Sequence, residues 1–262
     1  MISYTKLGHL RWGRLGNQMF EYATLLGVGM RLGYDVAVPP PEDHSLSTCF
    51  DISAPVLTES DREQLRHVFH ESHLGYSERI WSIEDFTDLR GFFQSERYFP
   101  PREVVKAEFT FKPELTQAAH DLLQPWREQG RVIVGMSVRR GDYQHFPEKY
   151  VQLFDTDFYD RAVAEFEDLD PIVIVSSNEP DWCRQRYTGD RFAFADSISD
   201  TAQLAMLTQC EHLIVANSSF AWWGAWLNDG PGRRIAPSRW MTLEVRESQR
   251  DPLPEGWETL EV

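Results

Sequence analysis

The second half of the chain alternates short, continuously apolar runs with amphipathic segments, and this alternation limits the possible folds more than any other feature. The runs at 131–138, 172–176 and 213–216 are rich in β-branched residues. Such runs are typical of strands buried on both faces of a parallel sheet. The intervening helical patterns at 158–166, 179–187, 202–210 and 219–227 predict a doubly wound α/β domain, with Asp157 capping the first helix.

The first half of the chain carries weaker patterns. Residues 17–32 are predicted to form a helix that ends at Gly33, followed by a strand at 35–38. Residues 58–70 are predicted to form a second helix. A break in the sequence pattern near residue 128, just before the strongest predicted strand, predicts an N-terminal domain, 1–128, and a C-terminal domain, 129–262.

Charge excludes several classes of function. The chain has 26 basic and 41 acidic residues, a formal charge of −15, so its surface is unsuited to nucleic acid or an anionic membrane. It has no apolar run long enough for a membrane span and no signal-peptide pattern at its first residues. Cys49, Cys183 and Cys210 are widely spaced, which predicts three reduced thiols, two of them half-buried on helices. We expect a soluble, cytoplasmic protein.

Two arginines stand at the carboxyl end of the strongest predicted strand. Arg139 and Arg140 would point to opposite sides of an extended chain. Ligands of open α/β sheets bind at this end of the strands, and guanidinium groups match a diphosphate well. A structural ion pair with a carboxylate of the chain, for instance Asp142, is an equal alternative.

Two further segments join a turn to a predicted helix. Gly13 and Gly16 allow a tight turn and close approach of a ligand, and Asn17 could cap the helix or contact that ligand. Asn217, Ser218 and Ser219 lie between a strand and a helix, where they could bind phosphate or simply cap the helix. The helical spacing of Trp222, Trp223 and Trp226 favours a place in the core.

A fourth segment, 91–99, mixes aromatic and hydrogen-bonding side chains, which is typical of sugar sites and also of ordinary domain edges. No acidic D-x-D pair follows an apolar strand, so no metal site is predicted.

Taken together, the four segments resemble the bacterial alpha-1,2-fucosyltransferase family. The stretches GRLGNQMFEYA, GFFQSERYF, SVRRGDY and LTQCEHLIVANSSFAWWGAWLN are similar to its motifs, in the same order, and the resemblance spans 13–257. It implies a GT-B-like α/β fold with two Rossmann-like halves facing across a donor/acceptor cleft. It also implies inverting, metal-independent transfer of L-fucose from GDP-fucose to a galactoside hydroxyl of a glycan, with no cofactor besides the donor.

The resemblance also implies residue roles. The catalytic residues would be Arg140, Asn17 and Asp142, the last by orienting the arginines. The donor would be bound by Gly16, Arg139, Ser137, Gln203, Ser218, Ser219 and Phe220. The acceptor would contact Phe93, Gln94 and Glu96.

Two positions depart from the family pattern. Ser137 stands where the family usually has His, and Gln203 where it usually has Asp; in related enzymes both help to bind guanine. A Gln carbonyl accepts guanine N–H groups less strongly than a carboxylate, and Asp200, one turn earlier, is a possible substitute. The alternatives are therefore a transferase for another nucleotide-activated sugar and a catalytically silent binding protein on the same scaffold.

Overall fold

The computed structural model describes residues 1–9, 13–242 and 253–262. The described chain forms two compact units: unit 1 contains Met1–Lys112, and unit 2 contains 113–242 and Pro254–Val262. The division falls after Lys112 rather than near residue 128, because the helix Pro113–Glu128 buries Ala119 and Leu123 within unit 2.

Unit 1 is built on a parallel sheet. Its described strands are β1 (Ile2–Ser3), β2 (Val36–Ala37), β3 (His67–His70) and β4 (Thr87–Arg90), in the order β2-β1-β4-β3. Every pairing in this sheet is parallel. Its helices are α1 (Leu15–Leu32), α2 (Glu59–Gln64) and α3 (Arg102–Glu108).

Helix α1 lies at the centre of this unit. Most of its residues are buried, and it ends where predicted: Gly33 takes the left-handed conformation, and its N–H donates to the Gly29 carbonyl. The helix begins two residues earlier than predicted, with Arg14 in the N-cap position. Asn17 therefore lies inside the first turn and does not cap it.

The helix predicted at 58–70 is wrong in its second half. Thr58 and Asp61 form a capping box that starts α2, but the helix ends at Gln64. Residues 67–70 instead pair with β4 as a parallel strand. The sequence His-Val-Phe-His has no alternating pattern of its own, and it is the pairing with Thr87–Arg90 of β4 that satisfies the backbone groups as a strand.

Unit 2 has a larger parallel sheet. Its described strands are β5 (Ile133–Val138), β6 (Ile172–Ser177), β7 (Phe192–Phe194), β8 (His212–Ile214), β9 (Arg234–Pro237) and β10 (Glu258–Leu260), in the order β10-β9-β8-β5-β6-β7. Its helices are α4 (Pro113–Glu128), α5 (Phe158–Ala164), α6 (Pro180–Arg186), α7 (Asp200–Leu207) and α8 (Ser219–Leu227). The predicted α/β class is confirmed.

Helix α4 belongs to unit 2 because it packs on α7. Arg127 Nη2 donates to the Gln209 carbonyl at 2.6 Å, and Gln209 Nε2 donates to the Thr116 carbonyl at 3.2 Å. The break in the sequence pattern near residue 128 therefore marks the end of helix α4 and not the division between the units.

In unit 2 the predicted burial of the tryptophans is confirmed, and the predicted capping by Asp157 is wrong. Trp222, Trp223 and Trp226 are buried, as predicted. Asp157 occupies the N-cap position of α5 but makes no capping hydrogen bond; it pairs with Arg161 at 3.1 Å.

The three thiols are free, and all three are buried. Cys49 of unit 1 lies outside any helix. The expectation of two half-buried thiols on helices is therefore wrong. No helix among the described residues is both long and apolar enough to cross a membrane.

We predict that Gly27→Ala destabilises the protein. Replacing glycine by alanine inside a helix normally stabilises it by about 1 kcal/mol. A Cβ at Gly27, however, would lie 1.9 Å from the Tyr98 carbonyl oxygen, a backbone atom. We expect a loss of about 1–3 kcal/mol in the free energy of unfolding, measured by chemical denaturation.

The control for this prediction is Met30→Ala on the exposed side of the same helix, where the side chain is 62% exposed. It should change the free energy of unfolding by less than about 0.5 kcal/mol. Stabilisation by Gly27→Ala would contradict the close packing of α1.

Candidate functional site

The order of the unit 2 sheet fixes where a ligand can bind. β5 pairs with β6 on one side and with β8 on the other, and all three strands are parallel. Successive strands are added outward from β5 through β6 to β7, and then on the opposite side from β8 to β10, so the strand order reverses between β5 and β8. In open α/β sheets, ligands bind at the carboxyl ends of the strands at such a reversal. The segments that follow these two strands contain Arg139 and Arg140 in one case and Asn217 and Ser218 in the other.

Arg139 lies against a carboxylate and an aromatic ring. Its Nη2 is 2.5 Å from Asp142 Oδ1, and its guanidinium carbon is 5.1 Å from the centre of the Tyr143 ring. Tyr143 in turn stacks on Tyr150, with ring centres 4.0 Å apart. The ion pair with Asp142, one of the two alternatives left open by the sequence, is therefore present, and the contact orients the Arg139 guanidinium.

Arg140 has different partners. Its Nη1 is 3.5 Å from Glu179 Oε2, and its guanidinium carbon is 5.3 Å from the ring centres of both Phe154 and Trp182. The Nε atoms of Arg139 and Arg140 are buried and have no hydrogen-bond partner. Because an unpaired buried donor costs free energy, an anion bound here would be favoured.

The backbone of this loop is held from β6 and α5. The Arg140 N–H donates to Asn178 Oδ1 at 3.3 Å, and the Arg139 N–H donates to the Tyr159 hydroxyl at 3.4 Å. A Cβ at Gly141 would lie 1.8 Å from Asn178 Nδ2, so a larger residue at 141 would displace the Asn178 side chain.

The start of α8 provides a second set of donors. Ser218 is the N-cap residue, but its side chain makes no capping hydrogen bond, and Ser219 and Phe220 are half-buried in the first turn. N–H groups of a first turn have no acceptor within the helix and lie at its positive end. This arrangement favours the phosphate interpretation over simple capping by serine.

Tyr143 ties the two segments together. Its hydroxyl donates to the Asn217 carbonyl at 2.9 Å, and burial raises the pKa of this hydroxyl well above its usual range, so it stays a neutral donor. Asn217 Nδ2 donates to the carbonyls of Val151 and Trp240, at 2.9 and 3.0 Å. The ends of β5 and β8 are thus fixed relative to each other before any ligand binds.

Ser137 and Gln203, the two departures from the family pattern, are both buried in unit 2. Gln203 Oε1 accepts the Ser176 hydroxyl at 2.8 Å, while its Nε2 donates to the Ile198 carbonyl at 3.2 Å. The carbonyl of Gln203 is therefore already engaged within the protein. Asp200, the suggested substitute, is exposed in the first turn of α7.

The unit 1 candidates cluster around the start of α1. Gln94 Nε2 donates to Asn17 Oδ1 at 3.0 Å, and Gly16 is buried one residue before Asn17. Gln94 and Glu96 are half-buried. Phe93 is fully buried against Tyr4, so its side chain belongs to the core and not to an acceptor surface.

Sequence reasoning missed Tyr143, Asn178 and Glu179. Asn178 and Glu179 directly follow β6, at the same sheet edge as the arginines. Because the apolar run at 172–176 predicts a strand, the polar residues directly after it could have been predicted to lie at the ligand-binding edge of the sheet. The contacts of Tyr143 depend on how the loop after β5 turns back, which no local pattern specifies.

Over the stretches 1–9, 13–242 and 253–262, no group of three or more His, Cys, Asp or Glu side chains is arranged to hold a metal ion.

Comparison with known proteins finds one glycosyltransferase family and curated relatives that are fucosyltransferases. The sequence profile of glycosyl transferase family 11 matches residues 9–261. Galactoside alpha-(1,2)-fucosyltransferase 1 of Alouatta caraya is 32% identical over 235 residues, which is 83% of this chain and 64% of that protein. The Pan troglodytes protein of the same name is 32% identical over 241 residues, with the same coverage. The chain thus spans just under two thirds of the length of these relatives.

Solved structures share the fold at low sequence identity. The fucosyltransferase NodZ from Bradyrhizobium superposes with a TM-score of 0.56 and 13% identity, covering 90% of this chain and 94% of that one. POFUT1 in complex with GDP superposes with a TM-score of 0.53 and 12% identity, covering 91% of this chain and 99% of that one. The predicted GT-B type of α/β fold is confirmed.

The close approach at Gly141 gives a testable coupling. We predict that Gly141→Ala and Asn178→Ala each lower the free energy of unfolding by about 1 kcal/mol, since each disturbs the hydrogen bond to the Arg140 N–H. In the Asn178→Ala background, the added Cβ has room. There Gly141→Ala should cost less than about 0.5 kcal/mol, and strictly additive costs in denaturation experiments would contradict the contact.

Proposed function

The chain belongs to glycosyl transferase family 11, and on that premise we propose that it transfers L-fucose from GDP-fucose to a hydroxyl of a galactoside. The product would be an alpha-1,2 linkage on a glycan, formed with inversion at the anomeric carbon. The observation that carries the proposal is the presence of Arg139, Arg140 and the start of α8 at the two central strand ends of unit 2. The names of the relatives at 32% identity support the choice of transferred sugar, acceptor class and linkage. The NodZ structure soaked with GDP-fucose, which shares the fold, agrees with the choice of donor.

We propose that the arginines act on the leaving group. The acceptor hydroxyl oxygen forms a bond to the anomeric carbon as the bond from that carbon to the diphosphate oxygen breaks. The electron pair leaves with GDP, and the hydroxyl proton passes to solvent. Arg139 and Arg140 would stabilise the negative charge that develops on the diphosphate, and Asp142 would hold Arg139 in place.

Charge stabilisation by two guanidinium groups supports a reaction that needs no metal. Each arginine offers five N–H donors, so its contact with Asp142 or Glu179 leaves others for a diphosphate. Desolvated guanidinium groups fixed in advance are more effective than groups that must reorganise during the reaction.

The remaining contacts are proposed from the resemblance. Ser218, Ser219 and Phe220 would bind the phosphate and base side of the donor through the first turn of α8. Gly16 and Asn17 would contact the fucosyl group. Gln94 and Glu96, both half-buried, would contact the acceptor. The cytoplasmic location stays a prediction of the sequence.

One observation favours a second candidate, a transferase for another nucleotide-activated sugar. The carbonyl of Gln203 accepts the Ser176 hydroxyl. Ser137 lacks the imidazole ring that the family usually has at this position, so it cannot stack on a base. Neither side chain therefore offers the acceptor pair that reads the Watson–Crick edge of guanine.

The base preference can be tested by ligand-induced stabilisation. We expect GDP to raise the melting temperature of the protein by several degrees at a concentration about 100 times its dissociation constant, because only the folded state binds it. UDP and dTDP at equal concentration should give smaller shifts. A larger shift with UDP or dTDP would favour the second candidate.

We predict that Arg140→Ala lowers transfer at least about 100-fold, since it removes a fixed charge from the leaving group. The measurement is acceptor-dependent release of GDP from GDP-fucose, which also separates a transferase from a silent binding protein. The matched control is Arg184→Ala in α6, where the arginine pairs with Asp196 at 2.6 Å and lies outside the proposed site. Near-wild-type transfer by Arg140→Ala, with the fold intact, would refute the proposed phosphate site.

A further inference from the structure

The segment that carries Gln94 has an unfavourable backbone. Gly91 has φ of +155° and Phe93 has φ of +49°, the latter a left-handed conformation that non-glycine residues rarely adopt. Such a conformation persists only where surrounding contacts impose it.

One carboxylate makes two of the contacts that impose it here. Glu71, directly after β3, accepts the Phe92 N–H on Oε2 at 2.7 Å and the Phe93 N–H on Oε1 at 3.0 Å. A Cβ at Gly91 would lie 2.3 Å from the Cβ of Glu71, so the segment lies as close to this side chain as glycine allows. Tyr4 adds a second anchor, since its hydroxyl donates to the Gly91 carbonyl and accepts the Gly91 N–H.

The same turn sets the place of Gln94. Gln94 follows the two residues that Glu71 holds, and its Nε2 donates to Asn17 Oδ1 at 3.0 Å. Asn17 in turn packs against Gly13, where a Cβ would lie 2.1 Å from Asn17 Nδ2. A change in the turn at 92–93 would therefore move the hydrogen bond that orients the Asn17 amide.

We propose that Glu71 is a positioning residue for transfer, and that its ionised form holds the 91–94 turn so that Gln94 orients Asn17. The role rests on the proposed function, in which Asn17 contacts the fucosyl group. Glu71 touches neither substrate in this proposal; it acts through the backbone of Phe92 and Phe93.

The surroundings of Glu71 are nearly free of compensating charge. Burial raises the pKa of Glu71 to about 7, while the N–H groups of Phe92, Phe93 and Gly75 lower it.

The titratable groups that face it are Tyr4, Glu21 of α1 and Tyr98, and Arg90 at the end of β4 interacts with Tyr4. Burial raises the pKa of Glu21 well above its usual range, which favours the neutral form of Glu21.

The sign of the pH dependence follows from these contacts. Below about pH 7 Glu71 binds a proton and loses its capacity to accept both N–H groups, so transfer should fall as the pH decreases. The contribution to folding stability has the opposite sign. Because the folded-state pKa is raised, the folded chain binds the proton more tightly than the unfolded chain, and stability decreases as the pH rises from about 4.5 to 7.

The first experiment compares the pH profiles of transfer by the wild type and Glu71→Gln. We expect the wild type to lose kcat on an acid limb centred near pH 7. Glu71→Gln should lack this limb and show kcat lowered about tenfold at pH 8, with KM for GDP-fucose within about twofold of wild type. Glu71→Asp, which restores the charge but is one methylene shorter, should regain an acid limb.

The matched control is Asp88→Asn in β4. Asp88 is also a buried carboxylate whose pKa is raised by burial, but it accepts from Thr5 and pairs with Arg90, whereas the Phe92 and Phe93 N–H groups donate to Glu71. This variant should melt at a lower temperature and keep the acid limb. An acid limb in Glu71→Gln like that of the wild type would overturn the inference.

A second measurement does not require activity. Amide hydrogen exchange, corrected for the intrinsic effect of pH, should show protection of the Phe92 and Phe93 N–H groups in the wild type at pH 8. This protection should fall at pH 6, and in Glu71→Gln at both pH values. Unchanged protection in Glu71→Gln would overturn the inference whatever the activity. Lost protection together with no transfer by the wild type would overturn the proposed function instead.

Discussion

The parallel pairing of β5 with β8 is the constraint on which the rest of unit 2 depends. It brings two segments that are about 75 residues apart in the chain to one sheet edge, where the Tyr143 hydroxyl joins the loop after β5 to Asn217. Both strands are buried, so their position is fixed by packing on both faces. The site at this edge is therefore rigid before a ligand arrives, which is what charge stabilisation of a leaving group requires.

An acidic protein thus places two guanidinium groups at one strand end, each beside a carboxylate. The chain carries a formal charge of −15, yet Arg139 and Arg140 lie side by side with partly buried side chains. Each is paired with one carboxylate, and aromatic rings lie 5.1–5.3 Å from their guanidinium carbons. Pairing keeps the guanidinium groups oriented, while the buried Nε atoms without partners leave a cost that a diphosphate would offset.

Unit 1 uses a different device at the carboxyl edge of its own sheet. The turn after β4 has an unfavourable backbone, and the carboxylate of Glu71 compensates for it by accepting two adjacent N–H groups. A buried carboxylate without a cation is itself unfavourable, which is why burial raises its pKa. The geometry of the Gln94 and Asn17 pair is thus linked to the ionisation of a group that the sequence motifs do not include.

The α/β class followed from the sequence, because apolar runs at 131–138, 172–176 and 213–216 alternate with helical patterns, as in a covered parallel sheet. The sequence also determined the motifs that carry Arg139, Arg140, Asn17 and Ser218, since these rest on local glycines and strand ends. Tertiary structure decided that 67–70 form a strand and not a helix, that Phe93 is core, and that the units divide after Lys112. It also decided which carboxylates meet which arginines and that Glu71 holds the 91–94 turn. The reason is that these outcomes depend on pairing between residues distant in the chain, whereas local patterns report only the periodicity of neighbours.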